Sequence, residues 1–109
     1  MFKYEKDNDN IVTITMDMQG RSANVINEEF GKLWLETMDR LSAEKADIAG
    51  VVLTSAKSTF FAGADIDNLF KQTDAKLIFE MCEGLKAQLR RLETLGKPAV
   101  AALNGAALG

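Results

Sequence analysis

An α/β fold in one domain of residues 1–109 is predicted by three features of the sequence. The chain opens with two short segments, Phe2 to Lys6 and Ile11 to Met16, joined by a polar turn in the pattern of a β-hairpin. A helical segment then precedes the apolar run Gly50 to Ser55, and the order strand, helix, strand implies a right-handed crossover. A second helical segment and a second apolar run, Pro98 to Leu103, repeat that order.

The first helix is predicted to begin after Asn27, a good N-cap, and to run to about Lys45. Acidic residues in its first turn favour the positive end of the helix dipole. Apolar residues recur at three- and four-residue steps and predict one buried stripe: Phe30, Leu33, Trp34, Met38 and Leu41. The strand Gly50 to Ser55 does not alternate, which predicts burial on both faces.

The second helix is predicted from about Asp74 to Gly96. One face carries its apolar residues, which are Ile78, Met81, Leu85, Leu89 and Leu92. Pro98 is tolerated at the first position of a strand, so Pro98 to Leu103 is predicted to be a further buried strand.

Composition excludes several classes of function. The net charge is −3 with dispersed Lys and Arg, so a nucleic-acid partner is not expected. Cys82 is the only cysteine and histidine is absent, which argues against a disulfide framework and against a metal site. No segment approaches the roughly 20 apolar residues of a membrane span, and a cytoplasmic location is expected.

The segment Phe60 to Ile66 is the first candidate for chemistry. Gly63 permits a positive φ, and its small neighbours leave Ala64 N–H reachable by a carbonyl or anionic oxygen. The simpler interpretation is a tight surface turn in which Asp65 caps a short helix.

The segment Lys97 to Gly109 is the second candidate, since it places Gly105 and Gly109 after a predicted strand. It is not a dinucleotide fingerprint, which needs G-x-G-x-x-G, and no Gly-Lys-Ser/Thr of a P-loop follows. A plain α/β nucleotide-binding domain is therefore disfavoured, whereas close helix-to-sheet packing remains an alternative.

Together the motifs resemble the crotonase, or enoyl-CoA hydratase/isomerase, superfamily. The resemblance spans the chain and rests on Ser22 to Val25, on Phe61 to Ile66, and on Lys97-Pro with Asn104 to Gly109. It implies a crotonase-like ββα spiral, of which these residues form the N-terminal portion. The pattern is also similar to the N-terminal domain of multifunctional fatty-acid oxidation proteins that carry a 3-hydroxyacyl-CoA dehydrogenase.

The resemblance implies that an acyl-CoA thioester oxygen is held by two backbone N–H groups. Ala64 matches the first donor, and the second follows Gly109 directly. Coenzyme A is implied as part of the substrate, with contacts from Ser22, Ala23, Val25, Ala62, Gly63, Asp65, Ile66 and Leu108. Many members of the superfamily have a lysine soon after the Ala-Asp-Ile motif, where this sequence has Asp67 and Asn68. The candidates for the phosphate contact expected from that lysine are Lys57, Arg90, Arg91 and Lys97.

The catalytic glutamates of the hydratases have no counterparts before Gly109, and Glu80, Glu83 and Glu93 match no motif. Residues 1–109 are expected to form a catalytically inactive fragment that ends at the Gly-rich oxyanion turn. No cofactor is expected for hydratase chemistry. NAD is expected only if a dehydrogenase domain follows. A trimer-based homo-oligomer is expected for the parent, and uncovered apolar surface should favour self-association. The alternative function is a non-catalytic acyl-CoA-binding or scaffold module of the same fold.

Overall fold

The computed structural model describes residues 1–109 and contains a mixed four-stranded sheet in the order β1-β2-β3-β4. The strands and helices, in chain order, are β1 Phe2–Lys6, β2 Ile11–Met16, α1 Glu28–Ala43, β3 Gly50–Ser55, α2 Ile66–Lys71, α3 Ala75–Glu93 and β4 Ala99–Ala101. β1 runs antiparallel to β2, whereas β2, β3 and β4 are mutually parallel. The predicted hairpin and α/β crossover are therefore confirmed.

The hairpin turn is closed by its own polar side chains, as the sequence predicted. Asp7 Oδ1 accepts from Asp9 N–H at 2.8 Å and from Ile11 N–H at 3.0 Å. Asn10 adopts φ 62°, a left-handed conformation that asparagine tolerates better than most residues. This turn fixes the register in which Tyr4 lies opposite Ile14.

The core lies between the sheet and α1, with α3 packed against α1. Asn27 caps α1, because its Oδ1 accepts from Phe30 N–H at 2.9 Å. The predicted stripe is confirmed for its buried members Phe30, Trp34, Met38 and Leu41, while Leu33 is half-buried. Alternate residues of β2 meet this stripe, so that Val12, Ile14 and Met16 are buried.

A polar cluster ties β1 to the end of α1. Tyr4 Oη donates to Glu44 Oε2 at 2.6 Å, and the Arg40 guanidinium carbon lies 3.7 Å from the centre of the Tyr4 ring. The hydrogen bond from Tyr4 lowers the pKa of Glu44 below its ordinary value of 4.5. Burial, and then the bond to Glu44, raise the pKa of Tyr4 above its ordinary value of 10.0.

Two predictions about strand burial were wrong. β4 covers only Ala99–Ala101 and is exposed throughout, because it is an edge strand whose sole partner is β3. In β3, Val52, Leu53 and Thr54 are only half-buried, since the helices cover one face of the sheet and leave the other partly open.

The second long helix is shorter than predicted and only half covered. α3 ends at Glu93, two residues before Leu95, rather than at Gly96. Ile78, Leu85 and Leu92 are half-buried, but two members of the predicted apolar face, Met81 and Leu89, remain exposed at 52% and 44%. No helix is sufficiently long and apolar to cross a membrane.

Candidate functional site

The candidate site lies where β2 and β3 end, at the carboxyl edge of the parallel strands. Asn24, which is completely buried, connects these two ends through its side chain. Its Nδ2 donates to the Met16 carbonyl at 3.2 Å and to Ser55 Oγ at 2.9 Å, while its Oδ1 accepts from Met18 N–H at 3.0 Å. The loop that follows β2 is thereby fixed to the end of β3.

The same loop pairs with the segment that carries Ala64. Ala62 N–H donates to the Asn24 carbonyl at 2.9 Å, and Ile26 N–H donates to the Gly63 carbonyl at 2.8 Å. Asp65 N–H then donates to the Ile26 carbonyl at 2.8 Å. Ser22 to Val25 and Ala62 to Ile66, which the sequence placed in one site, are neighbours in the structure.

These bonds fix the direction of Ala64 N–H. In a trans peptide the carbonyl of one residue and the N–H of the next point in opposite directions. Because the Gly63 carbonyl points towards Ile26, Ala64 N–H points away from the loop after β2. Ala64 is exposed and its N–H donates to no acceptor in the chain. The free amide predicted from the sequence is therefore present.

Gly63 makes this arrangement possible. Its φ of 84° lies in the region that glycine adopts readily, and this rotation interrupts the regular alternation of a strand. A Cβ built on Gly63 would lie 3.4 Å from the Leu108 carbonyl oxygen and 3.6 Å from Gly109 Cα. The two glycine-containing segments are thus in contact at Gly63.

The last residues of the chain pair with the other edge of this segment. The Ala106 carbonyl accepts from Phe60 N–H at 2.9 Å and Phe61 N–H at 3.1 Å, and Leu108 N–H donates to the Phe61 carbonyl at 2.9 Å. Gly105 packs so tightly that an added Cβ would clash with the Ser58 carbonyl oxygen. Phe60 and Phe61 consequently lie between the loop after β2 and the end of the chain.

Asp65 forms the short-helix cap that the simpler interpretation predicted. Its Oδ1 accepts from Asp67 N–H at 3.1 Å at the start of α2. Its other carboxylate oxygen pairs with Arg21 Nη2 at 2.8 Å, and the Asp65 side chain is only 6% exposed. The cap and a free Ala64 amide occur together, so the two interpretations of this turn are compatible.

The remaining candidates differ in exposure. Ser22 and Ala62 are exposed, Ala23 and Val25 are half-buried, and both Ile66 and Leu108 are more than 60% exposed. A Cβ added to Gly109, at the end of the second turn, would meet no heavy atom within 4 Å.

Three of the four candidate phosphate-binding cations are already paired with carboxylates. Lys57 contacts Asp17 at 3.1 Å, Arg90 contacts Glu93 at 2.7 Å and Arg91 contacts Asp39 at 2.9 Å. Glu83 likewise pairs with Lys86 on α3. Lys97, the fourth cation, is half-buried.

Arg21 and Asn24 were missed as site residues by the sequence reasoning. Asn24 stands inside the Ser22 to Val25 motif, and a polar residue among small apolar ones was the available signal. The importance of Asn24 depends on Ser55 and Phe60, which are more than 30 residues away in sequence. Arg21 carried no local signal, because its partner Asp65 is 44 residues away.

Other surface features lie apart from this site. One open hollow is lined by residues at the amino ends of β2 and β3, including Asn10, Ile48 and Ala49, at the opposite edge of the sheet from Asn24. No group of three or more acidic, cysteine or histidine side chains is arranged to hold a metal ion.

Comparison with known proteins gives a family match for this chain. Residues 6–109 match the family described as enoyl-CoA hydratase/isomerase. A fatty acid oxidation complex subunit alpha from Shewanella halifaxensis is 40% identical over 114 residues, and one from Idiomarina loihiensis is 35% identical over 109 residues. Each alignment covers 99% of this chain and 15% of the relative, so the chain spans about 15% of the length of these curated relatives.

Solved structures share the fold. An enoyl-CoA hydratase from Shewanella pealeana superimposes with a TM-score of 0.87 at 18% identity over 99% of this chain and 40% of that chain. One from Bacillus anthracis gives 0.82 at 22% identity over 95% of this chain and 40% of that chain. The predicted crotonase-like α/β fold is confirmed, and the chain belongs to the enoyl-CoA hydratase/isomerase family.

Proposed function

We propose that this chain forms the thioester-binding part of an enoyl-CoA hydratase/isomerase that acts on acyl-CoA in fatty-acid β-oxidation. The observation that carries the proposal is the exposed Ala64 N–H, which has no acceptor in the chain and points away from the loop after β2. A pre-oriented amide can stabilise the negative charge that develops on a thioester oxygen as it becomes an enolate. The name of the curated relatives, fatty acid oxidation complex subunit alpha, supports the metabolic context.

Coenzyme A is proposed to lie along the two paired segments. Ser22, Ala23 and Val25 contribute one side, and the backbone of Ala62 to Ile66 contributes the other, where backbone hydrogen bonds hold the two segments together. Leu108 lies beside Gly63 and is 63% exposed, so its side chain is available to an acyl group. Most of these contacts use backbone atoms, which suits a carrier common to many substrates.

Catalysis requires more than this one amide. We propose that a second donor lies beyond Gly109 and that the acid and base are glutamates outside residues 1–109. Loss of one oxyanion donor typically lowers the rate by about 10²–10³, and loss of the acid and base lowers it further. The chain by itself is therefore proposed to bind acyl-CoA without hydrating it.

The wider assignments rest on the family and on the names of the relatives. For the parent protein we propose a cytoplasmic, trimer-based homo-oligomer. Hydratase chemistry needs no cofactor, and we propose NAD only for a parent that also contains a 3-hydroxyacyl-CoA dehydrogenase domain. The Phe79, Met81 and Leu89 side chains of α3 are more than 40% exposed, which supports burial against another surface.

An amide-resolved NMR titration tests the proposal. Butyryl-CoA is expected to shift the Ala64 amide strongly, whereas coenzyme A thiol, which has no thioester carbonyl, should shift signals along the two paired segments but move the Ala64 amide much less. The thiol is thus the matched control for the oxygen itself. A thioester that leaves Ala64 unchanged would refute its assignment.

The alternative is an acyl-CoA-binding or scaffold module without catalysis. Glu83 and Glu93 are held in surface ion pairs on α3, which is compatible with this module and does not bear on glutamates outside residues 1–109. An assay of crotonyl-CoA hydration by the parent protein, measured as the loss of the enoyl-thioester absorbance, distinguishes the two functions. Thioester binding with no hydration or isomerisation in the parent would favour the module.

A further inference from the structure

Asp65 places a buried negative charge next to the amide proposed to bind an oxyanion. It directly follows Ala64, its side chain is 6% exposed, and its backbone N–H is tied to the Ile26 carbonyl at 2.8 Å. A carboxylate with so little solvent around it is poorly screened. Without compensation, it would disfavour an anionic ligand oxygen at Ala64 N–H.

Arg21 supplies that compensation. Its Nη2 contacts Asp65 Oδ2 at 2.8 Å, and its side chain is 45% exposed. The other oxygen of Asp65 accepts from Asp67 N–H, so both carboxylate oxygens have a donor. The ion pair also joins the two segments that flank the turn, because Arg21 directly precedes the Ser22 to Val25 loop.

We propose that Arg21 is a positioning residue that neutralises the buried Asp65 carboxylate, so that Ala64 N–H favours an enolate oxygen over a neutral thioester oxygen. This inference rests on the proposed function. Backbone pairing to Asn24 and Ile26 orients the amide, and the Arg21 ion pair sets the charge that the ligand oxygen experiences. Arg21 acts through Asp65 and needs no contact with the reacting atoms.

The test uses acetoacetyl-CoA, a 3-ketoacyl thioester that ionises to an enolate with its own near-ultraviolet absorbance. The enolate-to-ketone ratio of the bound ligand is measured at one fixed pH, without divalent cations. Arg21→Gln should lower this ratio on the order of tenfold, because it exposes the ligand to an unpaired carboxylate. Arg21→Gln/Asp65→Asn should restore it, since an asparagine side chain at that position can still cap α2 without carrying a charge.

Lys86→Gln is the matched control, because it removes one positive charge from an exposed ion pair on α3. Its ratio should equal that of the unmodified chain. A purely structural role for Arg21 predicts the opposite pattern: weaker binding of thiol and thioester alike, an unchanged ratio, and no restoration in the double variant. That pattern would overturn the inference.

Failure of a variant to fold and failure of the proposed function can each be distinguished from failure of the inference. If Arg21→Gln does not fold, the enolate-to-ketone ratio of the ligand bound to Asp65→Asn tests the inference. The expected ratio equals or exceeds that of the unmodified chain, and a lower ratio would overturn the inference. If the unmodified chain binds butyryl-CoA with no response at Ala64, the proposed function itself fails. The two failures are distinguished by whether Ala64 responds before any residue is changed.

Discussion

The Gly63 carbonyl accepts from Ile26 N–H at 2.8 Å, and this bond determines where the next amide points. Ala64 N–H belongs to the same peptide and is directed to the opposite side, away from Ile26. The free donor is thus a consequence of how the chain pairs on one edge and needs no side chain of its own.

Replacement of Gly63 by alanine tests the turn that produces this geometry. At φ 84° an L-residue is strained, and the new Cβ would lie 3.4 Å from the Leu108 carbonyl. We expect Gly63→Ala to lower the free energy of unfolding by about 1–2 kcal/mol and to shift the Ala64 amide. Urea denaturation and the amide spectrum measure the two effects.

Gly84→Ala is the matched control for that substitution. Gly84 lies within α3 with no heavy atom near its potential Cβ, so alanine should raise the free energy of unfolding by about 0.5–1 kcal/mol. Equal effects of the two substitutions would contradict a special conformation at Gly63.

Removal of the Asn24 side chain should be more damaging. Asn24→Ala would leave the buried Met18 N–H without an acceptor and would remove one partner each from the Met16 carbonyl and Ser55 Oγ. We expect a loss of roughly 2–4 kcal/mol in the free energy of unfolding. Asn24→Asp keeps the shape but sets an oxygen against the Met16 carbonyl, so it should also destabilise. A loss below about 0.5 kcal/mol for both variants would refute the role of Asn24.

Gly105 is predicted to tolerate no side chain. A Cβ there would overlap the Ser58 backbone carbonyl, which can move only with the loop after β3. Gly105→Ala should lower the free energy of unfolding by about 1–3 kcal/mol and disturb the amides of Phe60 and Phe61, which bond to Ala106. Unchanged stability and unchanged amides would show that these segments are loosely packed.

The Tyr4–Glu44 bond predicts a dependence of stability on pH. Since the pKa of Glu44 is lowered in the folded chain, its contribution is complete above the ordinary value of 4.5 and is lost as pH falls through the folded value. Tyr4→Phe should therefore lower the melting temperature at pH 7 and have a diminishing effect towards pH 3. A difference that is constant with pH would exclude this bond as the cause.

Local patterns in the sequence predicted most of the fold. The β-branched segments, the Asn27 cap and the helical stripe around Trp34 depend on near neighbours, and each occurs as predicted. Burial of β3 and β4 was overestimated, because an apolar run does not reveal which faces of a sheet are covered. Which faces are covered depends on contacts between residues that are distant in sequence.

The candidate site was only partly predictable for a related reason. Gly63 and its small neighbours signalled an accessible amide, and the resemblance to a family placed Ser22 to Val25 beside them. The ion pair of Arg21 with Asp65 and the four side-chain hydrogen bonds of Asn24 join residues that no local pattern connects. Only the folded chain brings these partners together.

The most direct measurement is the distance from Ala64 N to the thioester oxygen in a crystal structure of the protein with an acyl-CoA bound. We predict about 3 Å, the usual length of an N–H···O hydrogen bond, with coenzyme A beside the Ser22 to Val25 loop. An Ala64 amide bonded within its own loop, or a thioester bound elsewhere, would contradict the proposed site.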